Sequence, residues 1–449
     1  MRTEDVSSVS SAGYVDQVTG KWVGLWNQVF SGSNLRAALE RVKANQGAAG
    51  VDGVGVEDID AYLREHWAGI RERLDAGTYK PLPVREVMIP KPSGGKRMLG
   101  VPTVVDRVIC QAIAQVLSPI FDRGFVPASF GFRPKRSAHM AVKTARKFLE
   151  ERYVWVVEVD LSKYFDTVNH DMLMSRIARK VDDKRVLKLI RAYLHAGIMA
   201  DGVVRRSGEG TPQGSPLSPL LSNIMLDDFD HHLQAKGTKF VRYADDIRVF
   251  VRSQRAAQRA LAQATKFLEG KLKLRVNQEK STIRSATRAE LLGYGFYAAR
   301  GGQWRFRLTG ATKQRIITRV KELTNRSWSV SMDYRIDRIN KYLRGWLGYF
   351  ALADARTFLT HLDERLRSRL RMCVWKQWKR VRTRIRNLRS LGVNERQALK
   401  WGKTSKSYCR IASSHVLKTT LNNAYWENQH LVSAAQYWNY KHSQYSVLV

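Results

Sequence analysis

The stretch Phe240–Phe250, FVRYADDIRVF, limits what this chain can fold into more than any other. Val241, Tyr243, Ile247 and Val249 flank the adjacent carboxylates Asp245 and Asp246, a pattern that reads as two short strands meeting at an acidic turn. Neighbouring carboxylates repel, and each raises the other's pKa unless a cation lies between them, so the arrangement suits a bound divalent metal. Taken alone, an Asp-Asp pair is more often a solvated turn. An upstream partner tips the balance. In Val156–Asp166, VVEVDLSKYFD, a β-branched run ends at Asp160, and an acid at the end of a buried strand is costly unless paired or coordinated. Asp160, Asp245 and Asp246 would converge from two strands with enough oxygens for two Mg²⁺, with Mn²⁺ as the alternative, and substrate phosphates would complete the shells. Two such ions about 4 Å apart activate a 3′-hydroxyl and stabilise a leaving pyrophosphate in nucleotidyl transfer.

Charge narrows the partner. A formal net charge of +37 on 449 residues, with pI near 10.4, would oppose compaction without a large polyanion, and nucleic acid leads anionic membrane as that partner. No apolar run reaches the roughly 18 residues a spanning helix needs, and the polar start MRTEDVSSVS has no signal-peptide core, so the expected location is cytoplasmic, with no membrane partner. Cys110, Cys373 and Cys409 are scattered without CxxC spacing and are expected as reduced core residues, not zinc ligands.

Along the chain, residues 1–30 read as a polar leader, and helices are expected from Ser33 and over Val56–Leu74 on either side of the glycines in NQGAAGVDG. Val84–Pro102 is a hairpin presenting Lys91, Lys96 and Arg97 beside a Pro/Gly turn, a set suited to a triphosphate. The helix Val104–Phe121 follows. In ASFGFRPKRSAHMA, Arg133, Lys135 and Arg136 mix with Phe130 and Phe132, as in single-strand binders. Further expected elements are helices over Lys184–His195 and Ser253–Leu268 and a strand over Leu272–Val276. Residues 300–420 hold thirty Lys and Arg against seven Asp and Glu. Helices are expected there over Thr312–Arg326, Met332–Leu352 and Ala355–Leu388. The last carries eleven cations and no acid between Arg365 and Arg389, with Trp375 and Trp378 interleaved. Such a run repels itself over several turns without a counter-polyanion, which favours phosphate-backbone binding.

The YADD of Tyr243–Asp246, with Phe165 five residues after Asp160, resembles the palm of a reverse transcriptase, and the surrounding chain resembles the group II intron-encoded reverse transcriptase/maturase branch, bacterial class C-like. Blocks in the family's order run over about 35–300, including NQGAAGVDG, GTPQGSPLSP and ELLGYGF, and NKYLRGWLGYF resembles the maturase-specific thumb. The resemblance implies an α+β right-hand polymerase, fingers and palm with an antiparallel sheet, then an α-helical thumb and a short basic C-terminal segment. Its divisions would be 31–80 (N-terminal extension), 81–305 (fingers and palm), 306–395 (thumb/maturase) and 396–449 (DNA-binding-like).

It further implies Asp160, Asp245 and Asp246 as catalytic, with Leu161 beside them in the metal set. The nucleotide would meet Lys91, Arg97, Phe165, Gln213, Gly214 and Lys280, Phe165 excluding a 2′-hydroxyl. Template and primer would meet Arg133, Arg136, Gly293, Tyr294 and Gly295. Intron RNA would meet Arg365, Arg367, Arg369, Arg371, Lys376, Lys379, Arg380 and Arg382. Implied partners are group II intron RNA, an RNA template with a DNA primer, dNTPs and target DNA, in a bacterial, nucleoid-associated setting. Lacking an HNH motif with cysteine pairs, the chain is expected not to cut a second target strand. Two readings stay open beside this one: an RNA-binding splicing factor without polymerase activity, and a domesticated reverse transcriptase in defence or repair.

Overall fold

The computed structural model describes residues 13–446 apart from 91–94, 163, 201–202 and 206–213, and the chain divides into two compact units, Met1–Ser285 and Ala286–Val449. Lys91 and Gln213 lie outside the described residues.

The first unit is built around a four-stranded antiparallel sheet in the order Thr282–Ser285, Trp155–Val159, Asp246–Val251, Lys239–Tyr243. Side chains alternate across it. Val157, Val159, Ile247 and Val249 enter the main core, which Ala257, Ala264 and Leu268 of the helix Gln254–Gly270 share. On the other face Phe250 meets Phe148 of the helix Ala138–Glu150, ring centroids 5.6 Å apart. The core's longest apolar element is Val104–Asp122, capped by Thr103, whose Oγ1 accepts from Asp106 N at 3.1 Å. It is the one candidate among the described residues for a span by length and composition, and it is mostly buried within the protein. A second sheet pairs the expected hairpin, Val84–Pro90 with Lys96–Val101, and adds Ile198–Ala200 and Val203–Arg205.

Three expectations need correction here. The polar leader stops short of Leu25, because Leu25, Trp26, Val29 and Phe30 are buried and Trp26 N donates to Asp183 at 2.9 Å. The helix expected from Val56 starts at Ile59. Leu272–Val276 is not a strand. Leu272 and Leu274 sink into the core as the chain leaves the preceding helix, Lys273 takes φ 54°, and only Val276 forms a bridge, to Leu161.

In the second unit Glu290–Leu291, Tyr294–Ala298 and Trp304–Leu308 form a small sheet, joined in parallel by Ala353–Asp354. The change of unit therefore falls at Ser285/Ala286, ahead of the expected 305/306, because this hairpin pairs with Ala353–Asp354, a strand that lies between the helices Met332–Tyr349 and Arg356–Gln377. Helices Gly310–Leu323 and Met332–Tyr349 match expectation within a few residues. The third is split into Arg356–Gln377 and Val381–Ser390. At the break Arg384 Nε donates to Trp378 O at 3.0 Å and its guanidinium lies 4.8 Å from the Trp375 ring. In a straight helix nine residues span about 13 Å, so that contact needs the bend. The C-terminal segment is stapled to these helices. Buried Asp363 accepts from Ala434 N, Ala435 N and Ser433 Oγ at 2.8–3.0 Å, and Asn340 joins His430 O and Val432 N. Cys110 and Cys373 are buried as expected, but Cys409 is exposed.

Candidate active site

Strand register brings the expected carboxylates together. Val159 is opposite Ile247 and Tyr243 closes on Asp246, so Asp160 and Asp246 stand at adjacent strand ends on one face with Asp245 in the intervening turn. Asp160 N donates to Ser281 Oγ at 3.1 Å and its carbonyl accepts from Asn277 N at 2.9 Å, which pins the strand end. Leu161 follows it, buried, bridged to Val276.

The acidic turn is held in an unfavourable backbone shape. Ala244 has φ 59°, a conformation costing an L-residue roughly 1–2 kcal/mol. Arg242, fully buried, holds it there by donating from Nη1 to Ala244 O at 3.0 Å and to Asn223 Oδ1 at 2.8 Å. Its Nε reaches both oxygens of buried Asp230 at 2.8 and 2.9 Å. Asn223 Nδ2 in turn donates to Gly131 O at 2.9 Å, and a Cβ on Gly131 would stand 2.3 Å from Ala244 N. Sequence reasoning missed Arg242, Asp230, Asn223 and Gly131. The available signal was a charged residue on the core-facing side of a strand, which requires a buried partner.

On the carboxylate face Arg248 pairs with Asp246, and its Nε lies 3.7 Å from Glu158 Oε1. Asp246 is pushed above the usual carboxylate range by burial, with Asp245, Glu158 and Asp160 adding to the rise against Arg248. Among the described residues no group of three or more His, Cys, Asp or Glu side chains is gathered tightly enough to hold an ion, and Asp246 is paired with Arg248. Donor type and backbone placement nevertheless suit a divalent cation, with carboxylates at neighbouring strand ends on one face.

Phe165 is half-buried against the core and edge-on to Tyr164. Gly214, at φ 121°, presses on the hairpin strand, where a Cβ would stand 2.3 Å from Gly100 O. Arg97 lies on that strand opposite Ile89. Lys280 is exposed in the turn that pins Asp160, its N–H donating to Asn277 Oδ1 at 3.2 Å. Exposed Phe132 lies 6.3 Å from the Tyr243 ring, and Arg136 stacks on Phe130 at 5.7 Å.

Some expected contacts are structural instead. Arg133 is buried, paired with Asp122 at 2.6 Å and donating to the carbonyls of Asp122, Val126 and Ser129, so it braces its own loop and does not face a template. In the second unit Tyr294 is buried, its hydroxyl donating to Tyr349 O, between Gly293 at φ 84° and Gly295 beneath Arg307. Arg371 is buried on Leu421 O at 3.1 Å, and Arg369 donates to Thr324 and Lys321 O. Arg365, Lys379, Arg380 and Arg382 are exposed, with Arg367 and Lys376 half-buried.

Two family models match. Residues 89–296 match "Reverse transcriptase (RNA-dependent DNA polymerase)" and 313–392 match "Group II intron, maturase-specific domain". Protein YkfC of Escherichia coli is 37% identical over 272 residues, covering 52% of this chain and 71% of YkfC. The group II intron-encoded protein LtrA of Lactococcus lactis is 30% identical over 353 residues, covering 64% of this chain and 58% of LtrA, so the match spans less than two thirds of that relative. By sheet register and family match together, the chain belongs to the reverse transcriptases that carry a group II intron maturase-specific domain.

Proposed function

We propose that this protein is an RNA-directed DNA polymerase that extends a DNA primer along an RNA template from dNTPs, and that its helical second unit binds group II intron RNA to assist splicing and mobility at target DNA. The reading rests above all on the register that sets Asp160 and Asp246 side by side with Asp245 in the turn between strands. Asp160, Asp245 and Asp246 would hold two Mg²⁺, which when bound activate the primer 3′-hydroxyl and offset charge on the departing pyrophosphate. Phe165 limits space beside the sugar, and Gly214 and Lys280 border the nucleotide. The Arg242–Asp230 pair holds the acidic turn in place.

Primer extension on an RNA template with dNTPs and Mg²⁺ tests the polymerase. Asp245→Asn is expected to lower incorporation about a hundredfold to a thousandfold, as loss of a charge-stabilising group does. Equal extension by both proteins would leave the RNA-binding function alone. Splicing of an intron RNA at low Mg²⁺ with and without the protein tests the second unit, equal rates removing the maturase role.

A further inference from the structure

The carboxylate face carries a cation that the polymerase reading leaves unused. Register makes Arg248 the cross-strand partner of Glu158 and Glu158 the partner of Thr282, while Arg248 stands two residues from Asp246 on its own strand. Residues two apart on a strand share a face about 6.5 Å apart, so Arg248 lies between two acids by backbone geometry alone. Its guanidinium pairs with Asp246 through Nη1, and Nε is 3.7 Å from Glu158 Oε1. Glu158 is held from behind, its Oε2 accepting from Thr282 Oγ1 at 3.1 Å and lying 3.8 Å from Arg284 Nε. The Arg248 and Glu158 side chains are only 15% and 13% exposed, so these charges act through a reduced dielectric.

Resting on the polymerase reading of the same face, we propose that Arg248 is the resident counter-cation of Asp246 in the metal-free protein and passes to Glu158 when a divalent cation binds. Without metal, Asp160, Asp245 and Asp246 repel one another, and Arg248 offsets part of that repulsion. A dication beside Asp246 repels the guanidinium, and Glu158 receives it by side-chain rotation with no backbone movement. Arg248 thus competes with metal, and Glu158 favours metal by offering Arg248 another partner.

The test is Mn²⁺ binding to the full chain, followed by the paramagnetic signal of the unbound ion, with melting curves in EDTA and in saturating Mg²⁺. Arg248→Gln is expected to tighten Mn²⁺ binding about threefold to tenfold, the range of a partly buried ion pair, and to lower the metal-free melting temperature alone. Arg248→Lys keeps the charge and is expected near wild type. Glu158→Gln weakens binding by a similar factor, but only while Arg248 is present. Unchanged or weaker binding in Arg248→Gln overturns the exchange. So does an equal effect of Glu158→Gln with and without Arg248, which would be a plain field effect. Asp246→Asn separates the levels: if it abolishes binding while Arg248→Gln does nothing, only the exchange fails; if Mn²⁺ binding survives it unchanged, the metal-site reading fails first.

Discussion

Arg242 illustrates what a buried charge does in this protein. It is enclosed with Asp230, and each of its guanidinium nitrogens ends on Asp230, Asn223 or Ala244. Removing the cation alone strands a carboxylate in the core. Arg242→Met is therefore expected to lose about 3–5 kcal/mol in urea denaturation. The paired change Arg242→Met with Asp230→Leu should recover much of that stability, since apolar groups of similar volume replace buried ion pairs at little net loss. Ala244 O would still lack its donor. Single-turnover incorporation by the stable double variant is expected to stay at least about tenfold slow, the scale of a misplaced catalytic group. A fully restored rate would reduce Arg242 to a packing residue. The sequence marked Asp160, Asp245 and Asp246 because alternation and like-charge crowding are visible locally. Arg242 escaped it, and Arg133 was assigned to the template, because their partners lie elsewhere in the fold: Asp230 on the helix Ser218–Ala235, and the carbonyls of Asp122 and Val126.

Among the elements, the turn and the loop beneath it act together. Phe130 N donates to Arg242 O at 2.8 Å and Arg242 N to Ala128 O at 2.9 Å, which lays Gly131 directly under Ala244. Gly131→Ala would force a Cβ onto backbone atoms that cannot swing aside, displacing the acidic turn by a substantial fraction of an ångström. Incorporation is expected to fall about a hundredfold with circular dichroism unchanged, since small misplacements of reacting groups carry that scale of loss. A near-normal rate would mean that the turn tolerates displacement. The hairpin, its partner strand and the helix Val104–Asp122 were legible because each carries its own period and caps. The split after Gln377 was not, because the packing of Arg384 on Trp375 decides it and no local breaker announces it.

For the whole molecule, the +37 charge is distributed between two tasks. Arg365, Lys379, Arg380 and Arg382 are exposed and face solvent, whereas Arg335, Arg369 and Arg371 hold carbonyls within the second unit. Replacing the four exposed residues with Gln is expected to flatten the plot of log affinity for intron RNA against log salt by about 0.7 to 0.9 per phosphate contact removed. Arg371→Gln should instead lower the melting temperature with little change in slope. Equal slopes for the fourfold variant and wild type would move the phosphate contacts elsewhere. The C-terminal segment belongs to the same unit through Asp363 and Asn340, so its charge is presented on a fixed support. Local pattern and charge, which each segment carries with it, were enough for the sequence alone to determine the acidic hairpin, its partner strand and the sign of the surface. Only the tertiary structure decided which arginines meet solvent and which brace carbonyls or Asp230, because burial arises where distant segments meet and leaves no mark on the residues themselves.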